Sequence, residues 1–485
     1  MLQRGSHLKV FFVAGALFCA SGSIAAQTKP DDANAHASRA LALAAAAKLQ
    51  EATEEMRRAV ELAPKRADLH DALGTLLVQQ NDISTATGEF EEALRRNPEL
   101  ASAHLHLGVL QFEQRQFKSA EQHLAKANQL VPNNFLVLNY LGRTFRETGK
   151  FPEAIAAFQS SLQVQPNQSE ILNLLGQSFQ RAGNPVEAAQ AFRKILASEP
   201  QNSEVQNNLG LALLQFGDGD GAIAAFRTAL QIRPSDTGYQ VNLGAAYLQK
   251  ADFAAAVATF REALQQAPKN QTLHYNLGLA LKLQDKLPEA VEQLRAAEAL
   301  DPSQPDSPYT LGVTLWQMGD VDGAAAELQK AIRAKPDYAE AYYTLGTVLK
   351  QQSKLAESAQ ALREAIRLQP DFAGAHTTLA GVLRQLGDTE GASAEAKLGA
   401  DLAKQKTDLQ AAVFATNSGR RLRSLGDLNG AISQFRAAIQ AVKDYAPAHF
   451  ELAIALRQEG KNEEASSEFQ KAASLDPKLV APPRQ

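Results

Sequence analysis

The sequence predicts an all-α solenoid of tandem helix–turn–helix repeats, and three observations carry that expectation. Prolines recur every 34 residues without a slip, at Pro64, Pro98, Pro132, Pro166, Pro200, Pro234, Pro268, Pro302, Pro336 and Pro370. A glycine stands 24 residues before each proline from Pro98 onward: Gly74, Gly108, Gly142, Gly176, Gly210, Gly244, Gly278, Gly312 and Gly346. Twelve residues before the prolines from Pro98 onward stands alanine, from Ala86 to Ala324, with Ser358 the exception. A 34-residue period is that of a helix pair stacked on its neighbours.

Each element of the period has a mechanical reason. Proline cannot continue a helix, so it closes the second helix of one repeat and separates it from the next. Glycine inside a helix costs about 1 kcal/mol relative to alanine, so a glycine held in register implies close packing of the first helix on the second. The small alanine serves the same approach from the other side. Pro152, Pro185 and Pro288 follow the mid-repeat turn, where the first turn of a helix tolerates them, and Pro305, Pro308 and Pro447 sit at starts of first helices.

These residues resemble the tetratricopeptide-repeat family over nearly the whole chain. Thirteen repeats are expected, beginning at residues 33, 67, 101, 135, 169, 203, 237, 271, 305, 339, 373, 412 and 446. The resemblance implies an all-α, right-handed superhelical solenoid. The first and last repeats are degenerate at the glycine position (Ala40, Ala453), as terminal repeats often are. The eleventh departs from the pattern: Ala380 replaces the glycine, position 404 carries no proline, and the next repeat starts five residues late. Residues 389–411 could extend the second helix or form a loose linker. The expected organisation is repeats one to eleven over 33–406, an irregular insertion or hinge at 407–411, repeats twelve and thirteen over 412–479, and a tail at 480–485.

Composition narrows the class of partner. The 485 residues are 45% hydrophobic and 21% charged, with a net charge of -4, so no global basic field draws the chain to nucleic acid. Residues 1–26 resemble a secretion signal, followed by a short linker at 27–32. Arg4 and Lys9 precede an apolar stretch from Val10 to Phe18, and Ser23, Ala25 and Ala26 form a small-residue cleavage region. The apolar stretch is too short for a membrane span of about 20 residues. Cys19, the only cysteine, lies inside this segment behind Phe18, which disfavours a lipid anchor. An exported protein, periplasmic or secreted, is expected, with no membrane span after signal removal.

At about 100° per residue, positions 3, 4, 7, 8, 10 and 11 of each first helix fall on one side and form the interior; position 7 is leucine from Leu107 to Leu345. Positions 2, 5, 6, 9, 12 and 13 face the other way, and the family resemblance implies that they line a concave groove. Asn208, Asn242 and Asn276 occupy position 6 of three successive repeats, and Asn139, Asn173 and Asn207 occupy position 5 just before them. Asparagine both donates and accepts, so such a row can hold the main chain of an extended peptide; the alternative is a merely solvated helix face. The row resembles the asparagine ladder in the superhelix of O-linked N-acetylglucosamine transferase, here without a catalytic domain.

Position 12 is basic at Lys282, Lys350, Arg384, Arg423 and Arg457, and at Arg146 earlier, joined by Arg420 at position 9. A locally positive groove would favour an acidic peptide or anionic glycan, and solvated charge is the alternative. Trp316, also at position 12, is expected either to face the groove as an anchor or to pack on neighbouring side chains. Position 5 carries no lysine, so the carboxylate clamp of chaperone-binding relatives is unmatched.

No cofactor, metal or catalytic group is expected. Six histidines (His36, His70, His104, His274, His376 and His449) fall at position 4, where equivalent residues of stacked repeats lie too far apart to share a metal bound at about 2 Å. Neither a phosphate-binding loop nor a nucleophile elbow is present. The expected function is an exported scaffold that binds a protein or peptide segment in its groove. The alternatives are a structural assembly protein of the cell envelope, acting by self-association or its convex face, and an accessory subunit recruiting an exported enzyme.

Overall fold

The computed structural model describes residues 32–479. The expected signal, residues 27–31 of the linker and the tail at 480–485 lie outside the described residues. Within them the chain is all-α: twenty-five helices follow one another, and no strand occurs among the described residues. First helices start at Ala33, Ala67, Ala101, Phe135, Ser169, Ser203, Thr237, Gln271, Asp306, Ala339, Ala373 and Ala446. From Leu62 to Leu368, each second helix ends two residues before one of the ten periodic prolines. The chain divides into two compact units, one up to Thr259 and one from Phe260.

The glycine register has the expected packing cause. A Cβ built on Gly142 would lie 2.5 Å from Cε1 of Phe158, and one on Gly176 would lie 2.6 Å from Cε1 of Phe192. Both rings are fully buried. In other repeats a leucine fills the same place: a Cβ on Gly346 would meet Leu362 Cγ at 2.6 Å. The aligned alanines, such as Ala154 and Ala188, are likewise fully buried.

Turn chemistry is as regular. The residue joining the two helices of a repeat takes a left-handed conformation, with φ of 80° at Gly183 and 94° at Gly217. After the helix Ser169–Arg181, the Asn184 N–H reaches back to the Phe179 carbonyl at 2.8 Å, closing a Schellman-type end. Asp218 then caps the next helix by accepting from the Gly221 N–H at 2.9 Å, which completes the Gly217–Gly221 turn.

The position-4 histidines are joints within the repeat. In the first unit, His70 Nδ1 is 2.6 Å from Glu89 Oε2 on the second helix, and Nε2 is 3.2 Å from the Pro64 carbonyl of the preceding turn. His376 in the second unit repeats this arrangement with Glu395 and Pro370 at 2.5 and 2.9 Å. Each ring ties three segments together. His104 differs, because its Nδ1 faces His123 Nδ1 at 2.9 Å.

Residues 407–411, expected as an irregular insertion or hinge, lie inside one continuous helix, Thr389–Ser424. It merges the second helix of repeat eleven with the first of repeat twelve. No glycine or proline interrupts residues 400–411, and Ala, Leu, Lys and Gln in that stretch favour helix. Of the two alternatives left open by the sequence, the extended helix is the one observed.

Candidate binding surfaces on the first helices

In the first unit, position 5 is more enclosed than the helical wheel implied. Asn139 and Asn207 are each only 8% exposed. The cause is a regular link between neighbouring first helices, from position 6 of one repeat to position 5 of the repeat before. Asn208 Nδ2 donates to Asn173 Oδ1 at 3.2 Å, and Asn242 Nδ2 donates to Asn207 Oδ1 at 2.8 Å. His106 and Asp71 occupy the same two places earlier in the chain, with Nδ1 and Oδ1 2.8 Å apart. Asn139 instead accepts from Arg143 Nε at 2.7 Å, and Arg143 pairs with Glu170 of the next repeat. The expected ladder is therefore two asparagine–asparagine pairs that join repeats. Asn208 and Asn242 remain half-buried, with their Oδ1 atoms not engaged by the donated bond.

Asn208 also borders a cleft of about 670 Å³ spanning repeats four to six. Arg146 and Glu147 close one end, Gln177, Gln180 and Arg181 line the middle, and Leu211 and Gln215 complete the far side. Arg146 Nη1 donates to Gln177 Oε1 at 2.9 Å, which holds its guanidinium across two repeats. Gln215 Nε2 donates to the Gln180 carbonyl at 3.2 Å. The wall thus offers amide donors and acceptors with two guanidinium groups. These glutamines stand at positions 9, 12 and 13 of their repeats, a recurrence that the column of cations at position 12 obscures in the sequence.

In the second unit, Asn276 is half-buried on its first helix. The asparagine alternation stops there in the sequence, since Val241 stands 35 residues earlier. Of the two alternatives for Trp316, packing on neighbouring side chains is the one observed. Its ring packs against the cluster containing Leu315 and Leu349, yet it is half-buried, and Nε1 donates to Gln351 Oε1 of the next repeat at 2.7 Å.

The cations at position 12 divide into two groups. Lys282, Lys350 and Arg384 form no ion pair with a carboxylate among the described residues of this unit. Burial alone pushes the Lys282 ammonium below its ordinary pKa. Lys350 Nζ would lie 3.2 Å from a Cβ on Gly381 of the next repeat, so that glycine leaves room for the ammonium.

The C-terminal three differ from expectation. Arg420 Nε and Arg423 Nη2 both contact Glu451, at 2.7 and 3.0 Å. Glu451, at position 6 of the last repeat, is only 7% exposed, and its single negative charge offsets one of the two guanidinium charges. Arg457 stacks 4.7 Å above the Phe469 ring of its own repeat. Of the cations expected to form a positive row, Lys282, Lys350 and Arg384 are those without a carboxylate or ring partner among the described residues.

The tetratricopeptide-repeat model matches residues 72–135, 139–203, 173–237, 241–305, 309–371, 343–403 and 416–479. These matches span well over half the chain, and the chain belongs to the tetratricopeptide-repeat family. Its repeats generally mediate protein–protein interaction, and proteins built from them are generally non-catalytic scaffolds.

No curated protein matches the chain. Among solved structures, YrrB, a TPR protein with an unusual peptide-binding site, is 20% identical over 38% of this chain and 94% of its own, with a TM-score of 0.37. Pseudomonas aeruginosa pilF is 23% identical over 43% and 95%, with a TM-score of 0.36. Yeast Tom70 is 15% identical over 91% and 92%, with a TM-score of 0.37. At these identities the likeness is one of fold. No helix among the described residues is long and apolar enough to cross a membrane.

Proposed function

We propose that this chain is an exported scaffold that holds an extended segment of a protein partner along its first helices. The observation that carries the proposal is the polar cleft across repeats four to six, where Asn208, Gln177 and Arg146 present donors and acceptors from three successive repeats. An extended backbone offers alternating N–H and C=O groups, and side-chain amides can answer both. In the second unit, Lys282, Lys350 and Arg384 set a preference for acidic side chains, with Trp316 as an apolar anchor. A half-buried ammonium without a carboxylate gains from an anionic ligand, because pairing offsets its desolvation.

Export is part of the same proposal and rests on the positive start, apolar stretch and small-residue site within residues 1–26. N-terminal sequencing of the mature protein should begin at Ala26 or Gln27; an intact Met1 would remove this element.

The surface on the first unit is tested by changing Asn208 and Asn242 together to alanine. Capture of partners from a cell-envelope extract should fall. Asn208 and Asn242 also join repeats, so circular dichroism must first show the variant folded. Undiminished capture by the folded variant would make the groove assignment wrong.

A further inference from the structure

We propose that the long helix Thr389–Ser424 pairs in parallel with the same helix of a second copy of this chain, through a stripe of Leu398, Leu402, Leu409 and Val413. This interface uses none of the proposed peptide-binding residues and does not rest on them.

The five-residue insertion that breaks the 34-residue register leaves the middle of this helix bare. Every residue from 400 to 411 except Leu402 and Asp408 is exposed. Leu398 and Leu409 are each 45% exposed, and Val413 is 39% exposed. On a helical projection the four stripe residues fall within an arc of about 60°. Leu398, Leu402, position 405 and Leu409 follow one another at intervals of four, three and four residues, those of a coiled-coil seam, and Val413 lies on the flank where the seam meets the buried Ala412. Gln405 occupies the one polar seam position between Leu402 and Leu409.

Charge selects the occupant and its direction. Asp401 and Lys406 flank opposite sides of the stripe, five residues apart. In a parallel pair, a residue on one flank meets the residue five further on in the second helix. Asp401 of each copy would then face Lys406 of the other, twice by two-fold symmetry. An antiparallel pair would instead bring Asp401 against Asp408 of the second copy, and like charges oppose that alignment. The seam is short, so its buried area falls below the roughly 1,200 Å² of a stable specific interface. The dimer should therefore be weak and concentration-dependent.

Sedimentation equilibrium of the full chain tests this between about 5 and 200 μM, the range suited to a small interface. The wild type should show a reversible monomer–dimer equilibrium. Asp401→Lys and Lys406→Asp should each weaken it by about tenfold, since each replaces two attractive contacts with two repulsive ones. The double swap should restore it. Leu409→Asp should abolish the dimer, whereas Phe414→Ser should leave it unchanged. Phe414 is 76% exposed but lies off the stripe, so it separates specific pairing from general stickiness. A monomer at every concentration, a double swap no better than either single change, or equal effects of Phe414→Ser and Leu409→Asp would each overturn the proposal. The charge swap keeps the test decisive even if Leu409→Asp perturbs folding.

Discussion

Gly142→Ala measures directly how tightly the repeat is packed. Intrinsic helix propensity favours alanine over glycine by about 1 kcal/mol, so a loosely packed helix would be stabilised. The observed packing opposes this. The new methyl would lie 2.5, 2.7 and 2.9 Å from three carbons of the Phe158 ring, where carbon contacts are favourable at about 3.5–4.0 Å. Phe158 is fully buried, so its ring must shift by roughly 1 Å against its neighbours. Overpacking of a well-filled core costs about 1–3 kcal/mol, and three simultaneous overlaps place this case at the upper end. The net expectation is destabilisation by about 1–2 kcal/mol. Repeat arrays need not unfold in one step, so hydrogen exchange of the helix pair Phe135–Glu147 and Phe151–Val164 is the appropriate assay, with urea unfolding as support. A double-mutant cycle with Phe158→Ala should show coupling of at least about 1 kcal/mol, because the methyl then enters vacated space. Unchanged or slower exchange in Gly142→Ala would refute the close-approach explanation of the glycine register.

Two further outcomes follow from the buried polar joints. Asp71→Leu removes a contact between residues that are 3% and 4% exposed, and it should destabilise the chain by about 1–3 kcal/mol in urea unfolding; adding His106→Phe should recover much of that loss, and no recovery would show the cost is not polar. The Glu55 carboxyl is held below its ordinary pKa, first by the hydrogen bond from His36 and then by Arg39. Its contribution is therefore fully present above the unfolded value of about 4.3 and is lost as pH falls through the lower folded value. Thermal melts should show that Glu55→Gln flattens the acid dependence below about pH 5; an acid limb identical to wild type would contradict the assignment.

The fold was legible because its rules are one-dimensional. Proline spacing located the ends of the second helices, and the glycine column announced a close approach of the first helix to the second, though not the Phe158 and Leu362 side chains that fill it. Site residues were less legible, for two physical reasons. A helical wheel treats each first helix as isolated, yet position 5 lies against the next repeat; this is why Asn139 and Asn207 turned inward while Asn208 and Asn242 kept partial exposure. Charge columns also ignore counter-ions: Arg420 and Arg423 looked equivalent to Lys350 until Glu451 was found between them. The histidine column had a local explanation that spacing alone concealed, because each acceptor lies 19 residues away on the second helix. At residues 389–411 the loss of the periodic proline is compatible with helix or linker in the sequence, and the structure is a continuous helix.

The chain contains a single tryptophan, and it stands among the cations proposed to receive the ligand. Titration of the full chain with an extended Asp/Glu-rich peptide, followed by Trp316 fluorescence, is the most direct test of binding at this surface. A saturable change is expected, weakened by Lys350→Met and by raising ionic strength, since exposed charge pairs are screened. A Lys-rich peptide of equal length should leave the emission unchanged. Equal responses to both peptides, or no response to the acidic one, would contradict the proposed binding surface.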